Sequence, residues 1–427
     1  MNSRTQQLYV VLAVGIGLAL ILLAGLQRAQ AAPAGAPLFV KPSGSGTVCT
    51  QPSPCALQTA LDQAADGDTI YVAEGVYTGA DGAVITVTKS ITLYGGWDGA
   101  GSGPMVRDPL AHPTTLDGED QRRVVYIAAS IAPTLDGFVI TGGHGDFSGG
   151  GIYAESTSSI IRNNQIVSNS AAGDGGAIFI NRGSAQIVSN TIMENTATWS
   201  GGLRIINDAD ATVVGNEIVG NVASISGGGI DIGCCGGTTP FIARNFIAYN
   251  RGGSRGGGVV VQHTNARLEN NILASNQASE GAGIWLQGMA SHPVSITLVH
   301  NTLVGQDKGD EAVWAGPYVT ATLVNNIFAG HSTGVTITTP ASTTVSATYN
   351  LFWNASDPFT GANAVLDDPL LDATFHLLAG SPAIDAGTTT GVTTDFDGQS
   401  RPIGPLPDIG ADTRALQVYL PLVLRGS

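Results

Sequence analysis

The sequence predicts an all-β protein, a right-handed parallel β-helix with coils of about 26 residues and a short capping helix at its N-terminal end. Three observations lead there. A phrase recurs along the chain: Asn, any residue, an aliphatic residue, two more residues, a second Asn, a short gap, Gly-Gly, then an alternating apolar run. Glycine supplies 58 of the 427 residues and charged residues only 12%, against about 25% in an average soluble domain, which excludes a helical bundle. Hydrophobic residues make up 43%, enough for a core, so the scarcity of charge does not read as disorder.

Residues 1–31 read as an export signal: Arg4 in a polar start, an apolar run from Leu8 to Leu26, and Ala29-Gln30-Ala31 as a small-x-small cleavage site. The run is near membrane-spanning length, so an uncleaved anchor is the alternative. Either way the remainder is expected outside the cytoplasm. Cys49 and Cys55 flank the loop CTQPSPC, whose prolines can hold the ends close enough for a disulfide in an oxidising compartment. Cys234 and Cys235 are adjacent and leave two readings open, a strained vicinal disulfide or two free thiols. A net charge of −15 argues against nucleic acid or an anionic membrane as partner.

Residues 56–65 (ALQTALDQAA) carry Leu57, Ala60, Leu61 and Ala64 on one helical face, the pattern of a helix that plugs the open first coil. The solenoid, expected over 38–355, then begins with strands at Thr69–Val72, Ile85–Val87, Ile91–Tyr94 and Val124–Ile127, and Gly95 to Gln121 reads as an irregular insert.

The clearest repeats span 161–350. The first Asn of the phrase falls at Asn164, Asn190, Asn216, Asn245, Asn271, Asn301, Asn326 and Asn350, spaced 26, 26, 29, 26, 30, 25 and 24 residues apart. A second Asn follows five residues later at 169, 195, 221, 250 and 276. Each copy holds period-two runs such as Ile178-Phe179-Ile180 and Ile230-Asp231-Ile232 between Gly and Asn turns, which are strands and not helices. Three strands and three turns per coil let each strand pair in parallel with its equivalent about 4.8 Å away. Stacked Asn amides then bond to the copies above and below, and Gly serves where the chain reverses. The right hand follows from the general preference of parallel crossovers.

From about Asn350 the phrase fades, which marks a C-terminal segment over 356–412 and an apolar tail over 413–427. The tail VYLPLVLR is too short to span a bilayer and reads either as an end strand or as a sorting tag.

These residues resemble a known group. LFVKPSGSG, CALQTALDQAADGDTIYVAEGVYTG, ITLYGG and LDGFVITGG look like the first coils of secreted right-handed β-helix proteins of the pectate-lyase-like superfamily. The Asn and Gly-Gly copies are similar to the repeats of polymorphic outer-membrane proteins. SPAIDAG at Ser381–Gly387, DFDGQSRP at Asp395–Pro402 and DIGAD at Asp408–Asp412 are similar to the choice-of-anchor Q segment, which implies an exported, surface-attached protein. Membrane association is therefore expected only through the uncleaved signal or a C-terminal anchor.

If Ile152, Ile178, Leu203, Ile230, Val259, Ile284 and Val313 point inward, the next residues form an outward ladder: Tyr153, Phe179, Arg204, Asp231, Val260, Trp285 and Trp314. Two positions on stand Glu155, Asn181, Gln262 and Gln287. Aromatic faces beside amides and a few charges suit a sugar chain, so these residues are the expected binding groove for an extracellular polysaccharide or cell-surface glycan. Hydrolysis would need two carboxyls about 5 to 10 Å apart, and Asp231 and Glu155 lie three coils apart, about 14 Å. Lyase chemistry would need carboxylates holding calcium and a basic residue; Arg204 beside Asp231 is the candidate pair, with a plain ion pair as the other reading. Gly143-His144-Gly145 matches one element of the polygalacturonase pattern, but its companion elements are absent and His144 is not carried over as catalytic. Asp395 and Asp397 have the acidic spacing of a calcium loop without the later Glu of an EF-hand, and no other cofactor is expected. The expected function is that of a secreted or surface-displayed carbohydrate-binding or adhesive protein needing no catalysis. A polysaccharide lyase or hydrolase working in the same groove and a purely structural surface protein are the alternatives.

Overall fold

The computed structural model describes residues 35–80, 82–233, 236–306, 310–354 and 359–414. The export signal over 1–31, the Cys234-Cys235 pair and all of the apolar tail beyond Arg414 lie outside the described residues.

Apolar residues alternate in runs of three to six between Asn and Gly turns, too short for helices, and the chain winds them into a parallel β-helix. In one coil the chain passes through Ile160–Arg162, turns at Asn164, continues through Gln165–Val167, turns at Asn169, runs through Ser170–Asp174, turns at Gly175 and returns along Ile178–Gly183. Each segment pairs in parallel with its equivalent in the next coil, as Ile161 with Ile187, Ile166 with Ile192, Ala171 with Ala197 and Ile178 with Leu203. We call the four stacks the back sheet, the side sheet, the short sheet and the ladder sheet. Among the described residues the back sheet contains twelve strands, from Leu38–Val40 to Thr344–Thr348.

The short sheet corrects the expectation of three strands per coil. Its segments read as glycine-rich turns, yet their backbones pair coil to coil over Ser170–Asp174, Thr196–Trp199, Val222–Ser226 and Arg251–Gly252. A stacked turn has its N–H and C=O groups aligned with those of its neighbours, and pairing satisfies them without any demand on the side chains.

Inward residues of the stacks, such as Ile161, Ile166, Ile178, Ile180 and their equivalents, are fully buried in one continuous column. Each contributes roughly 1.5–3 kcal/mol of transfer free energy. Both Asn corners are buried as well. Asn190 accepts at Oδ1 from the backbone N–H and from Nδ2 of Asn164, and donates its own amide to Asn216 Oδ1 and to the Ile161 carbonyl. The pattern repeats through Asn245, Asn271, Asn301, Asn326 and Asn350. A parallel ladder links Asn169, Asn195, Asn221, Asn250 and Asn276 at the second corner. A corner carbonyl and N–H that face no strand thus still find a partner.

The helix α1 covers Leu57–Gln63 and lays Leu57, Ala60 and Leu61 against the first coil. Beside it a disulfide joins Cys49 to Cys55, and the loop pairs with the first strand through Phe39 N–H to Cys49 O and Cys55 N–H to Phe39 O. The region expected to be an irregular insert is in part regular: Thr114–Ile127 is one long strand that serves the side sheet and then the ladder sheet.

The C-terminal segment lies lengthwise along the side sheet, back over coils already formed. Leu377, Ala383 and Ile409 pack on Ile327, Ala329 and Leu351. Further back, Ala411 N–H donates to Thr302 Oγ1 at 2.9 Å, Asn270 Nδ2 donates to the Thr394 carbonyl at 2.8 Å, and Phe375 meets Phe246 with ring centroids 6.1 Å apart.

Candidate functional site

The predicted ladder has its predicted register, with Tyr153, Phe179, Arg204, Asp231, Val260, Trp285 and Trp314 facing one another in successive coils. Its exposure is not as expected. Phe179, Arg204, Asp231 and Trp285 are buried, Trp285 to 1% exposure, and only Tyr153 and Trp314 at the ends are half-open. The cause is the turn four residues upstream. Gly149, Gly175, Gly227, Gly256 and Gly281 have positive φ and lie directly against the ladder: a Cβ on Gly227 would stand 2.6 Å from the Asp231 Cβ, and one on Gly281 3.0 Å from the Trp285 Cβ. The short sheet therefore roofs the side chains that strand alternation points outward. Trp285 stacks on Trp314 at 5.1 Å, lies under the Arg255 guanidinium at 4.9 Å and donates from Nε1 to Glu280. Packing accounts for its aromatic character.

The second row remains half-open and is internally bonded. Tyr153 OH and Asn181 Nδ2 both donate to Glu155 Oε2, and Asn207 Nδ2 donates to Asn181 Oδ1. Gln262 and Gln287 continue this row, half-buried.

Arg204 and Asp231 form a sealed ion pair. Arg204 Nη1 contacts Asp231 Oδ1, and its Nε lies 3.3 Å from Asp174 Oδ1. Asp231 also takes bonds from Ser226 and Gln262. Burial pushes the Asp231 carboxyl up from its usual range, and Arg204 pulls it back. Calcium takes about six to eight oxygen ligands. With a guanidinium between Asp174 and Asp231, and Asp231 shut off from solvent, these residues do not form a calcium site.

Two recesses lie on the edge where the short sheet meets the ladder sheet. One, of about 300 Å³, is lined by Asp174, Trp199, Arg204, Gln262 and His263. Trp199 is paired in register with Asp174 and is half-exposed. Burial raises the Asp174 carboxyl, while burial and then His292 lower His263, which keeps that ring neutral at pH 7. The other recess, of about 440 Å³, is bordered by Arg122, Arg123, His144, Asp146 and Phe147, the last 81% exposed. Arg123 donates to the Ser148 and Gly149 carbonyls and covers the Tyr153 ring at 4.6 Å. The recesses are neighbours, because Asp174 N–H donates to the Phe147 carbonyl and Ser148 bridges to Asp174. Together they offer two open aromatic rings with guanidinium, amide, imidazole and carboxylate groups beside them.

Arg204 and Gln262, expected in the groove from the sequence, come together here with Asp174 and His263. Trp199 and Phe147 were not expected, since Trp199 sits in the gap between Asn195 and Gly201 and Phe147 in the matching gap of a coil with Gly143 at the Asn position. The one available signal was their aromatic rings, in a gap that holds no aromatic residue in the coils of Asn169, Asn221, Asn250 and Asn276. The two residues of the presumed calcium loop have different tasks. Asp395 is buried and caps the Gln399 and Thr413 N–H groups, whereas Asp397 is exposed and lies 3.0 Å from His376 Nε2.

The family described as right handed beta helix region matches residues 124–305 and 176–352, a combined span of more than half the chain. Among solved structures, pectate lyase Pel9A is similar with a TM-score of 0.55 at 15% identity, covering 88% of this chain and 96% of that one. A rhamnogalacturonan lyase gives 0.46 at 14% identity over 78% of this chain and 90% of its own. The first likeness is one of fold alone, and the second adds no argument. No curated protein matches the sequence. Among the described residues no helix is long and apolar enough to cross a membrane.

Proposed function

The chain belongs to the right-handed β-helix family, and on that premise we propose that it is a secreted or surface-displayed protein that binds polysaccharide along the edge carrying Phe147 and Trp199. One observation carries the reading: Trp199 stands half-exposed over a recess whose remaining walls are Arg204, Asp174, Gln262 and His263. A sugar ring stacks its apolar face on an indole and satisfies its hydroxyls with flanking amides and charges. Phe147 one recess away supplies a second platform, and Arg122 and Arg123 favour a chain that carries carboxylates. The fold shared with polysaccharide-cleaving proteins fits this reading, and no bond-breaking step is required by it. On this reading the glycan edge runs beside the expected aromatic ladder, of whose rings Phe179 and Trp285 are roofed over.

The test is affinity electrophoresis of the full chain in gels containing neutral or acidic polysaccharides. Retardation by at least one of them, weakened by about tenfold in Trp199→Ala or Phe147→Ala, is expected, since loss of a stacked ring removes on the order of 1.4 kcal/mol. Absence of retardation across the panel would refute the proposal. Release of unsaturated products from the same polysaccharides would replace it with the lyase reading.

A further inference from the structure

The C-terminal segment brings together three side chains that the polysaccharide reading does not use. His376, Asp397 and Asp412 offer ligand atoms that all lie within 4.8 Å of one another, with His376 Nε2 and Asp397 Oδ2 3.0 Å apart. They come from three separate stretches, the turn at Asp372–His376, the turn at Asp395–Gln399 and the irregular stretch around Asp412. From this arrangement we infer a binding site for a divalent first-row transition ion, with zinc as its representative, that ties those three stretches together.

The donor set selects the class of ion. One imidazole with two carboxylates suits zinc and its neighbours, whereas calcium takes oxygen ligands only and more of them. Bonds of about 2.0–2.2 Å place the donors of a tetrahedral ion about 3.4 Å apart, between the observed closest pair and the widest separation. A fourth position is left for water.

The surroundings hold these ligands in place. His376 Nδ1 lies 2.9 Å from Thr374 Oγ1, which donates to Asp372 Oδ1 at 2.7 Å, and Asp372 Oδ1 also accepts the His376 N–H. With the Thr374 proton given to Asp372, Nδ1–H donates to Thr374, which leaves Nε2, 3.0 Å from Asp397 Oδ2, as the nitrogen that an ion would take. Metal-bound histidines are held by this kind of carboxylate-backed contact on the far nitrogen. Asp412 is kept in place by the Leu377 N–H on its Oδ2 at 2.8 Å. Finally, His376 lines a cavity of about 400 Å³ whose walls include Phe246, Ile272, Phe375 and Phe396. These apolar walls flank the site on its His376 side.

The experiment uses the tag-free full chain, stripped with chelator and titrated calorimetrically with zinc chloride and, separately, calcium chloride. Uptake of one zinc ion per chain is expected. Asp397→Asn and His376→Gln should lower the affinity by about 100-fold or more, and Asp372→Asn, which touches no metal, by about tenfold. Asp397 is exposed, so its variant decides the matter even where His376→Gln fails to fold. No zinc uptake by the native chain, native-like uptake by Asp397→Asn, or binding of calcium in place of zinc would each overturn the inference. Because polysaccharide retardation is read separately, failure of either proposal leaves the other standing.

Discussion

Arg401 Nη1 donates to Nδ1 of His300 at 2.8 Å, across 101 residues of sequence, and this contact fastens the C-terminal segment to the side of the solenoid. Arg401 fixes Nδ1 as the acceptor, and Nε2 lies 3.0 Å from both the Thr390 hydroxyl, which can accept its proton, and Asn325 Nδ2. Burial, and then Arg401, hold the His300 pKa well below the ordinary histidine range. The neutral ring therefore adds its full stability above the unfolded-state value of about 6.5, and that contribution is lost as pH falls below it, with a slope approaching about 1.4 kcal/mol per unit. Asp408 and Asp412, raised by burial, act in the opposite sense in acid. Thermal melts between pH 7.5 and 5.5 should show a fall in the native chain that His300→Gln removes, and a flat native profile would refute the assignment.

Asn216 ties three coils together through four bonds, two accepted from Asn190 and two donated to Ile187 O and Asn245 Oδ1. Asn216→Ala leaves a buried N–H and a buried carbonyl without these partners. A loss of about 3 kcal/mol is expected from the urea midpoint.

Gly227 has φ +74 and no room for a methyl group over Asp231. Gly227→Ala should cost about 2 kcal/mol or more, from backbone strain and overpacking together. In the preceding coil Ser200 occupies the equivalent place with φ 57 and turns its hydroxyl to the Leu203 carbonyl at 2.7 Å. The backbone form is thus tolerated by a side chain, and contact with Asp231 should dominate the cost at Gly227. Asp231→Gly, which removes that Cβ, should accordingly cost less in the Gly227→Ala background than it does alone.

Asp231→Ala leaves the buried Arg204 with Asp174 as its remaining carboxylate. Breaking such a pair costs about 3–5 kcal/mol, while replacing both partners with apolar residues of similar volume is close to neutral. Equilibrium denaturation of Asp231→Ala and of Arg204→Met with Asp231→Leu should separate by several kcal/mol. Equal stabilities would show that the pair is not sealed.

Trp285→Ala and Trp199→Ala should behave oppositely. Removal of the buried Trp285 costs about 3–5 kcal/mol. Removal of the half-exposed Trp199 should change stability by less than about 0.5 kcal/mol while weakening polysaccharide retardation. Melting curves and affinity gels run on the same preparations check both.

The sequence by itself determined the solenoid, its coil length, the α1 plug, the Asn corners and the order of residues along the ladder. These are periodic properties: a residue such as Asn190 meets its equivalents at Asn164 and Asn216 once the coil closes, and strand alternation orders Phe179 and Arg204 on one side of the sheet. Exposure is not periodic in that sense. Whether Trp285 faces water depends on where the backbone at Gly281 passes, and whether His376 meets Asp412 depends on how a non-repeating segment folds back on earlier coils. Such contacts join positions with no common spacing, so only the tertiary structure decided that Phe179 and Trp285 of the aromatic ladder are roofed, that Trp199 lies open beside Arg204, and that the segment 371–414 clasps the flank of the solenoid.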